Sequence, residues 1–313
     1  MSTPRTLQLP DGVRRVTVET GRGSFAALEA LPAAGVCERQ PALLIPGYTG
    51  SKEDFLAVLG PLAAAGRRIL AIDMRGQYET PGGYDASAYG LAALAADAAL
   101  IADQLSRSDG GPGPGGQQVH LLGHSFGGLV ARDVVLAQAA RISSLTLLSS
   151  GPGALTGPRA AVLRQLLGQL DGKPPESLAA EVKRLWDTHL GPQAVADGVP
   201  ADILGFLRTR MLASSGAGLK FMAENLLACP DRTAELAKLP SARTLVVYGE
   251  DDDAWAPAIQ EEMAVRLRAQ RVCIPCAAHS PAVEAPETLA SILTSFWNSV
   301  ECGRHRSAGR AVS

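Results

Sequence analysis

The amino-acid sequence predicts an α/β protein: a mostly parallel sheet flanked by helices, interrupted by an all-helical insertion. Three observations carry that expectation. Short apolar runs alternate with helix-patterned segments from residue 42 onward. The strand pattern stops between Gly151 and Leu239 and resumes at Arg243. Between Val119 and Val130, a strand-like run passes through Gly123-His124-Ser125-Phe126-Gly127 directly into a helix-compatible segment. A length of 313 residues with 46% hydrophobic content suits one large α/β domain, or one carrying an inserted unit.

In chain order, Gly12–Thr20 and Ser24–Leu31 alternate apolar and polar residues around Thr20-Gly21-Arg22-Gly23, which predicts a β-hairpin. Ala42–Pro46 reads as a short buried strand, residues 52–65 as a helix, and Arg68–Asp73 as the next strand. Leu91, Leu94, Ala98, Ile101 and Leu105 keep helical spacing and predict a long helix. The Gly- and Pro-rich run Ser108–Gly116 reads as a flexible surface connection. After the serine-bearing strand and its helix, Ser143–Ser149 is a strand. The insertion, residues 151–239, holds four helix-patterned runs: Ala160–Leu170, Pro175–His189, Ala201–Ala213 and Gly218–Cys229. Arg243–Tyr248 and Val272–Ile274 are the last two strands. The basic, polar segment 301–313 is expected to be disordered, leaving 1–150 and 240–300 as the core.

Composition narrows the function classes. A net charge of −2 argues against electrostatic binding to nucleic acid or an anionic membrane, and 4% aromatic residues against base-stacking surfaces. No apolar run reaches the roughly 18 residues of a membrane span, and Met1–Asp11 lacks the apolar core of a signal peptide. The expectation is therefore a soluble, cytoplasmic protein. Five scattered cysteines (Cys37, Cys229, Cys273, Cys276, Cys302) form no disulfide framework. Cys273 and Cys276 lie at the end of a predicted strand, where a redox pair would open a helix, so they read as ordinary buried or half-buried thiols. A zinc site would need two further ligands nearby; no metal or cofactor is expected.

The Gly-x-Ser-x-Gly run gives Ser125 the setting of a nucleophile on a sharp strand–turn–helix elbow. Glycines at 123 and 127 leave room for that turn, and the helix start aims free N–H groups at the serine. A serine hydroxyl attacks at neutral pH only when an imidazole takes its proton. Of five histidines, His120 lies within the serine strand, His124 immediately precedes the serine, His189 falls in the insertion and His305 in the tail. His279 alone follows the last strand in a loop. The acid-rich loop Glu250-Asp251-Asp252-Asp253 follows the strand before it. Serine, then acid, then histidine is the chain order of the α/β-hydrolases.

Over residues 13–298 the sequence resembles that superfamily, in the style of small capped bacterial serine hydrolases. The run His279-Ser-Pro-Ala-Val-Glu-Ala-Pro-Glu matches the family pattern around its histidine. The resemblance implies the α/β-hydrolase fold, with residues 151–239 as a cap over the site. The family spacing of Gly, two residues, then Asp maps Gly249 to Asp252 as the acid, with Asp251 and Asp253 as alternative registers. Such a carboxylate fixes the imidazole tautomer and supports its cation. The loop Ile45–Gly50 resembles the family's His-Gly loop, with Pro46 in place of histidine, and implies backbone N–H donors of Tyr48 and Phe126 as the oxyanion hole. Asp73-Met74-Arg75-Gly76 resembles the family's Asp-x-Arg-Gly turn and reads more simply as a turn pinned by carboxylate and guanidinium hydrogen bonds than as a pocket contact; Gln77, Tyr78 and Glu79 after it depart from the pattern. Trp186, Phe206, Phe221, Met222 and Trp255 are candidate pocket residues, more simply read as packing.

The implied activity is serine hydrolysis of a small or medium apolar carboxylic ester through an acyl-enzyme. The same triad also serves thioesters, lactones, amides or a carbon–carbon bond beside a ketone, since specificity lies in the pocket. A non-catalytic small-molecule receptor on the same fold is the alternative from another class. The expected partner is a small-molecule substrate; the oligomeric state stays open.

Overall fold

The computed structural model describes residues 2–36, 38–107, 117–238 and 243–310. Cys37 and the expected connection Ser108–Gly116 lie outside the described residues. Within them, β1 (Val13–Thr20) and β2 (Gly23–Ala30) form the predicted antiparallel hairpin. The strands β3 (Arg39–Ile45), β4 (Arg67–Ile72), β5 (Val119–His124), β6 (Ile142–Leu148), β7 (Thr244–Gly249) and β8 (Gln270–Ile274) complete one sheet. Its order is β1-β2-β4-β3-β5-β6-β7-β8, and every pairing from β4 to β8 is parallel. Parallel strands buried on both faces need near-continuous apolar runs, which is why Ala42-Leu-Leu-Ile45 and Leu245-Val-Val247 read as strands without alternation.

Successive side chains in each strand point to opposite faces. Leu43 and Ile45 pack with helices α2 (Leu91–Ser106) and α3 (Phe126–Gln138) on one side. Ala42 and Leu44 pack with α1 (Leu56–Ala64) on the other. A 3₁₀ turn at Lys52–Phe55 precedes α1, where one continuous helix was expected over 52–65. After β6 the chain enters helices α4 (Gly157–Gly168), α5 (Leu178–Leu185), α6 (Gly191–Ala196), α7 (Ala201–Ala213), α8 (Gly216–Ala228) and α9 (Thr233–Leu236). The expected helix over Pro175–His189 is divided into a 3₁₀ turn at Pro175–Ser177, α5, and a π-helical turn at Trp186–Leu190.

Helix α10 (Pro257–Leu267) joins β7 to β8; α11 (Pro281–Glu284) and α12 (Pro286–Arg310) close the chain beside α1. Although the tail was expected to loosen from residue 301, α12 continues past Val300. Glu301 receives the fully buried guanidinium of Arg67 and bonds His120 Nε2 at 3.0 Å. A buried cation without a counter-charge costs several kcal/mol, so Arg67 and Glu301 are held in register as a pair. Among the described residues no helix is long and apolar enough to cross a membrane.

Candidate active site

Ser125 joins β5 to α3 with φ 54° and ψ −121°, a conformation that L-residues rarely adopt. Its N–H donates to the Leu148 carbonyl at 2.9 Å, and its carbonyl accepts from Ser150 Oγ at 2.8 Å and Gly128 N at 2.9 Å. These bonds hold the strained turn. A Cβ at Gly123 would meet the Gly127 carbonyl, and one at Gly127 would meet the carbonyls of Ile45 and Pro46. Both glycines are therefore demanded by backbone approach.

His279, in the loop after β8, lies between Ser125 and Asp252. Ser125 Oγ donates to His279 Nε2 at 2.9 Å, and His279 Nδ1 donates to Asp252 Oδ1 at 2.9 Å. Of the three consecutive aspartates only Asp252 faces the imidazole. Asp251 and Asp253 are exposed, and Asp253 pairs instead with Arg159 of α4. Asp252 is 4% exposed and also accepts from Ala254 N at 3.0 Å and Gln260 Nε2 at 2.9 Å. Burial pushes its carboxyl up, but hydrogen bonds and the nearby imidazole outweigh that and hold it below the usual carboxylate value.

The His279 loop is held at three backbone points by residues that the sequence order does not single out. Glu284 accepts from Ala278 N at 2.6 Å and Ser280 N at 3.2 Å, bridging the peptide on either side of the histidine. His124 Nε2 donates to the His279 carbonyl at 2.7 Å. Burial drives the His124 imidazole down to about 3, so it stays neutral and keeps one donor for that bond. Glu284 lies inside the run that begins at His279, and His124 adjoins Ser125, but neither position records the backbone atom its side chain reaches.

Two backbone donors lie beside Ser125. Among the described residues neither Tyr48 N–H nor Phe126 N–H meets an acceptor. Glycine at 47 lets the first loop approach, since a Cβ there would sit 3.1 Å from Ser125 Cβ. Beneath this loop lies a buried ionic cluster. Lys52 Nζ bonds Asp73 at 2.8 Å, Glu79 at 2.7 Å and Glu53 at 3.1 Å, and Arg210 of α7 bonds Asp54 at 2.7 Å. Burial opposes the Lys52 charge, but the Asp73 and Glu53 carboxylates prevail and raise its affinity for the proton. In the Asp73–Gly76 turn, Asp73 also accepts from Lys52 N, and Arg75 pairs with Asp97 at 2.7 Å.

Above Ser125 and His279 opens a cavity of about 390 Å³, walled mainly by leucines of the insertion, among them Leu163, Leu167 and Leu185, with Met211 and Trp255. Of the candidate aromatic residues Trp255 lines it. Trp186 packs within the insertion, Phe206 meets Tyr78 edge-on, Phe221 stacks on Tyr89, and Met222 lies in the core. Cys273 and Cys276 are exposed rather than buried or half-buried as expected, because β8 and the turn after it lie at the edge of the sheet; among the described residues no three His, Cys, Asp or Glu side chains converge as a metal site.

A sequence model described as the Alpha/beta hydrolase family matches residues 42–292. The chain is 34% identical over 116 residues to a Variovorax paradoxus protein provisionally named a carbamate hydrolase, a match spanning 37% of this chain and only 40% of that protein. It is 27% identical over 302 residues to a Bacillus subtilis protein provisionally named 2-succinyl-6-hydroxy-2,4-cyclohexadiene-1-carboxylate synthase, covering 94% and 98% of the two chains. It is 29% identical over 189 residues to a pimeloyl-acyl-carrier-protein methyl ester esterase of Aeromonas hydrophila, covering 58% and 70%. Among solved structures, a hydrolase from Pseudomonas aeruginosa PA01 superposes with a TM-score of 0.65 at 25% identity, over 90% of this chain and 98% of that one.

Proposed function

The chain belongs to the α/β-hydrolase family and is a hydrolase, and from that premise we propose that it cleaves apolar carboxylic esters through an acyl-enzyme on Ser125. One observation carries this reading: the unbroken hydrogen-bonded chain Ser125–His279–Asp252 at the floor of a leucine-walled cavity. Ser125 Oγ attacks the ester carbonyl carbon while its proton passes to His279 Nε2. The carbonyl oxygen, now an alkoxide, is received by the N–H groups of Tyr48 and Phe126, which act only as charge develops and so lower the barrier rather than tighten substrate binding. Collapse expels the alcohol with the proton from Nε2. Water then attacks the acyl carbon, giving its proton to His279, and the acid leaves as Ser125 is restored. Asp252 keeps the proton of the neutral imidazole on Nδ1 and supports the cation in both halves. The insertion acts as the cap: it supplies most of the apolar wall and so reads the acyl chain.

Fluorophosphonate labelling and a panel of p-nitrophenyl esters, acyl thioesters and aminoacyl anilides test the reading. Ser125→Ala should abolish labelling and lower ester turnover by at least about 10³-fold, and Asp252→Asn should lower it by up to about 10⁴-fold, as in a related triad. Asp251→Asn and Asp253→Asn should leave turnover nearly intact. Wild-type turnover in Ser125→Ala would sink the mechanism. A second reading, the same residues acting on a carbon–carbon bond beside a ketone, is favoured by the full-length match to the Bacillus relative named as a synthase.

A further inference from the structure

Gln77 is 1% exposed, and both ends of its amide are engaged. Oε1 accepts from Met74 N–H at 3.0 Å, and Nε2 donates to the Gly47 carbonyl at 2.8 Å. That carbonyl belongs to the same peptide unit as the Tyr48 N–H. The unit is planar and trans, so its C=O and N–H point in opposite directions. Whatever holds the oxygen aims the hydrogen. Gly50 N–H reaches the same oxygen at 3.1 Å, but from within the loop it would have to anchor. Gln77 comes from the turn after β4 and supplies a reference outside the loop.

We propose that Gln77 is the positioning residue of the oxyanion hole: it fixes the Gly47–Tyr48 peptide so that the Tyr48 N–H faces the carbonyl oxygen bound at Ser125. The inference rests on the ester-hydrolase reading above and deepens it. Two physical effects contribute. Without the side-chain bond, glycine at 47 leaves the peptide unit free to swing, in a loop whose next residue but one, Thr49, already sits at φ 57°. Donation into the carbonyl also polarises the amide and makes its N–H the stronger donor. Both effects matter most when full charge sits on the substrate oxygen, so they belong to kcat rather than KM.

Two variants separate this role from simple closure of the turn. Gln77→Glu keeps the oxygen that accepts from Met74 N–H but, when ionised, sets a second negative oxygen against the Gly47 carbonyl. Protonated, the same carboxyl can donate to that carbonyl again. Gln77→Met fills the space and makes neither bond. On a p-nitrophenyl ester at neutral pH both should lose about 10- to 100-fold in kcat, because a misaimed donor approaches the loss of one. KM should move less than about threefold. An alkyl trifluoromethyl ketone, whose adduct with Ser125 carries the full oxyanion, should bind more weakly by a similar factor. As pH falls, the activity of Gln77→Glu relative to wild type should climb, whereas the ratio for Gln77→Met stays flat.

Full kcat in either variant overturns the proposal, as does a loss carried by KM with ketone affinity unchanged. A fall in melting temperature without the kcat loss also overturns it, since that is what turn closure alone would give. Labelling of wild type by a fluorophosphonate keeps the outcomes distinct. If wild type is labelled at Ser125 and turns over, intact Gln77 variants remove this inference alone; an unlabelled, inactive wild type removes the hydrolase reading beneath it.

Discussion

Ser125 occupies a backbone region that costs a non-glycine residue about 1–3 kcal/mol, and three backbone-directed hydrogen bonds around it offset that strain. The strain was legible in the sequence, because small residues on both sides of a serine between strand and helix announce it. The order of Ser125, Asp252 and His279 was legible for the same reason: each follows a strand whose end faces the same side of the sheet. Gln77, Glu284 and His124 were not, since each acts through a backbone atom and no pattern of residue types records which carbonyl or N–H a side chain reaches. His124 yields a test by pH. Its folded-state pKa lies near 3, below the roughly 6.5 of the unfolded chain, so between those values only the unfolded state takes the proton. Stability should fall as pH falls below about 6.5, by about 1.4 kcal/mol per unit from this group. Urea unfolding at pH 7 and pH 5 should show a smaller acid loss for His124→Asn, by about 2 kcal/mol, than for wild type. Parallel losses would mean that His124 does not titrate this way.

The insertion shows what helical patterning tells and what it omits. Its apolar residues at three- and four-residue spacing mark helices α4, α5, α7 and α8, but not which stripe faces a cavity rather than a solid core. Leu163 and Leu167, one turn apart on α4, line the cavity beside Leu185 of α5. The ion pair of Arg159 with Asp253 ties the start of α4 to the loop that carries Asp252, and Arg210 ties α7 to the turn below Tyr48. Leu163→Trp or Leu167→Trp should therefore shorten the preferred acyl chain. Each methylene excluded costs about 1–3 kcal/mol of transition-state binding, or roughly 10- to 200-fold in kcat/KM. A series of p-nitrophenyl esters from acetate upward reads this directly, with short esters little affected; an unchanged chain-length profile in both variants would remove the insertion from the acyl site.

Across the whole molecule the strands were the most legible part, because a parallel sheet buried on both faces leaves few polar positions to blur the runs. The end of α12 was not, because Glu301 is retained by Arg67 and His120, two residues distant in sequence. Sheet order sets one further property. Ser125 follows β5, deep in the sheet, whereas His279 follows β8, an edge strand of five residues whose side chains are mostly exposed. Edge elements with little buried apolar surface open at lower free energy than the core. The proposed reaction thus depends on an edge of the sheet, and its thermal ceiling is expected there rather than at global melting. On slow heating, ester hydrolysis should disappear several degrees before the far-ultraviolet circular dichroism changes, and recover on cooling while the bulk of the sheet stays intact. Coincident curves would place β8 within the same cooperative unit as the core. With early, reversible loss, strengthening β8 alone would raise the working temperature of the enzyme without altering its melting point.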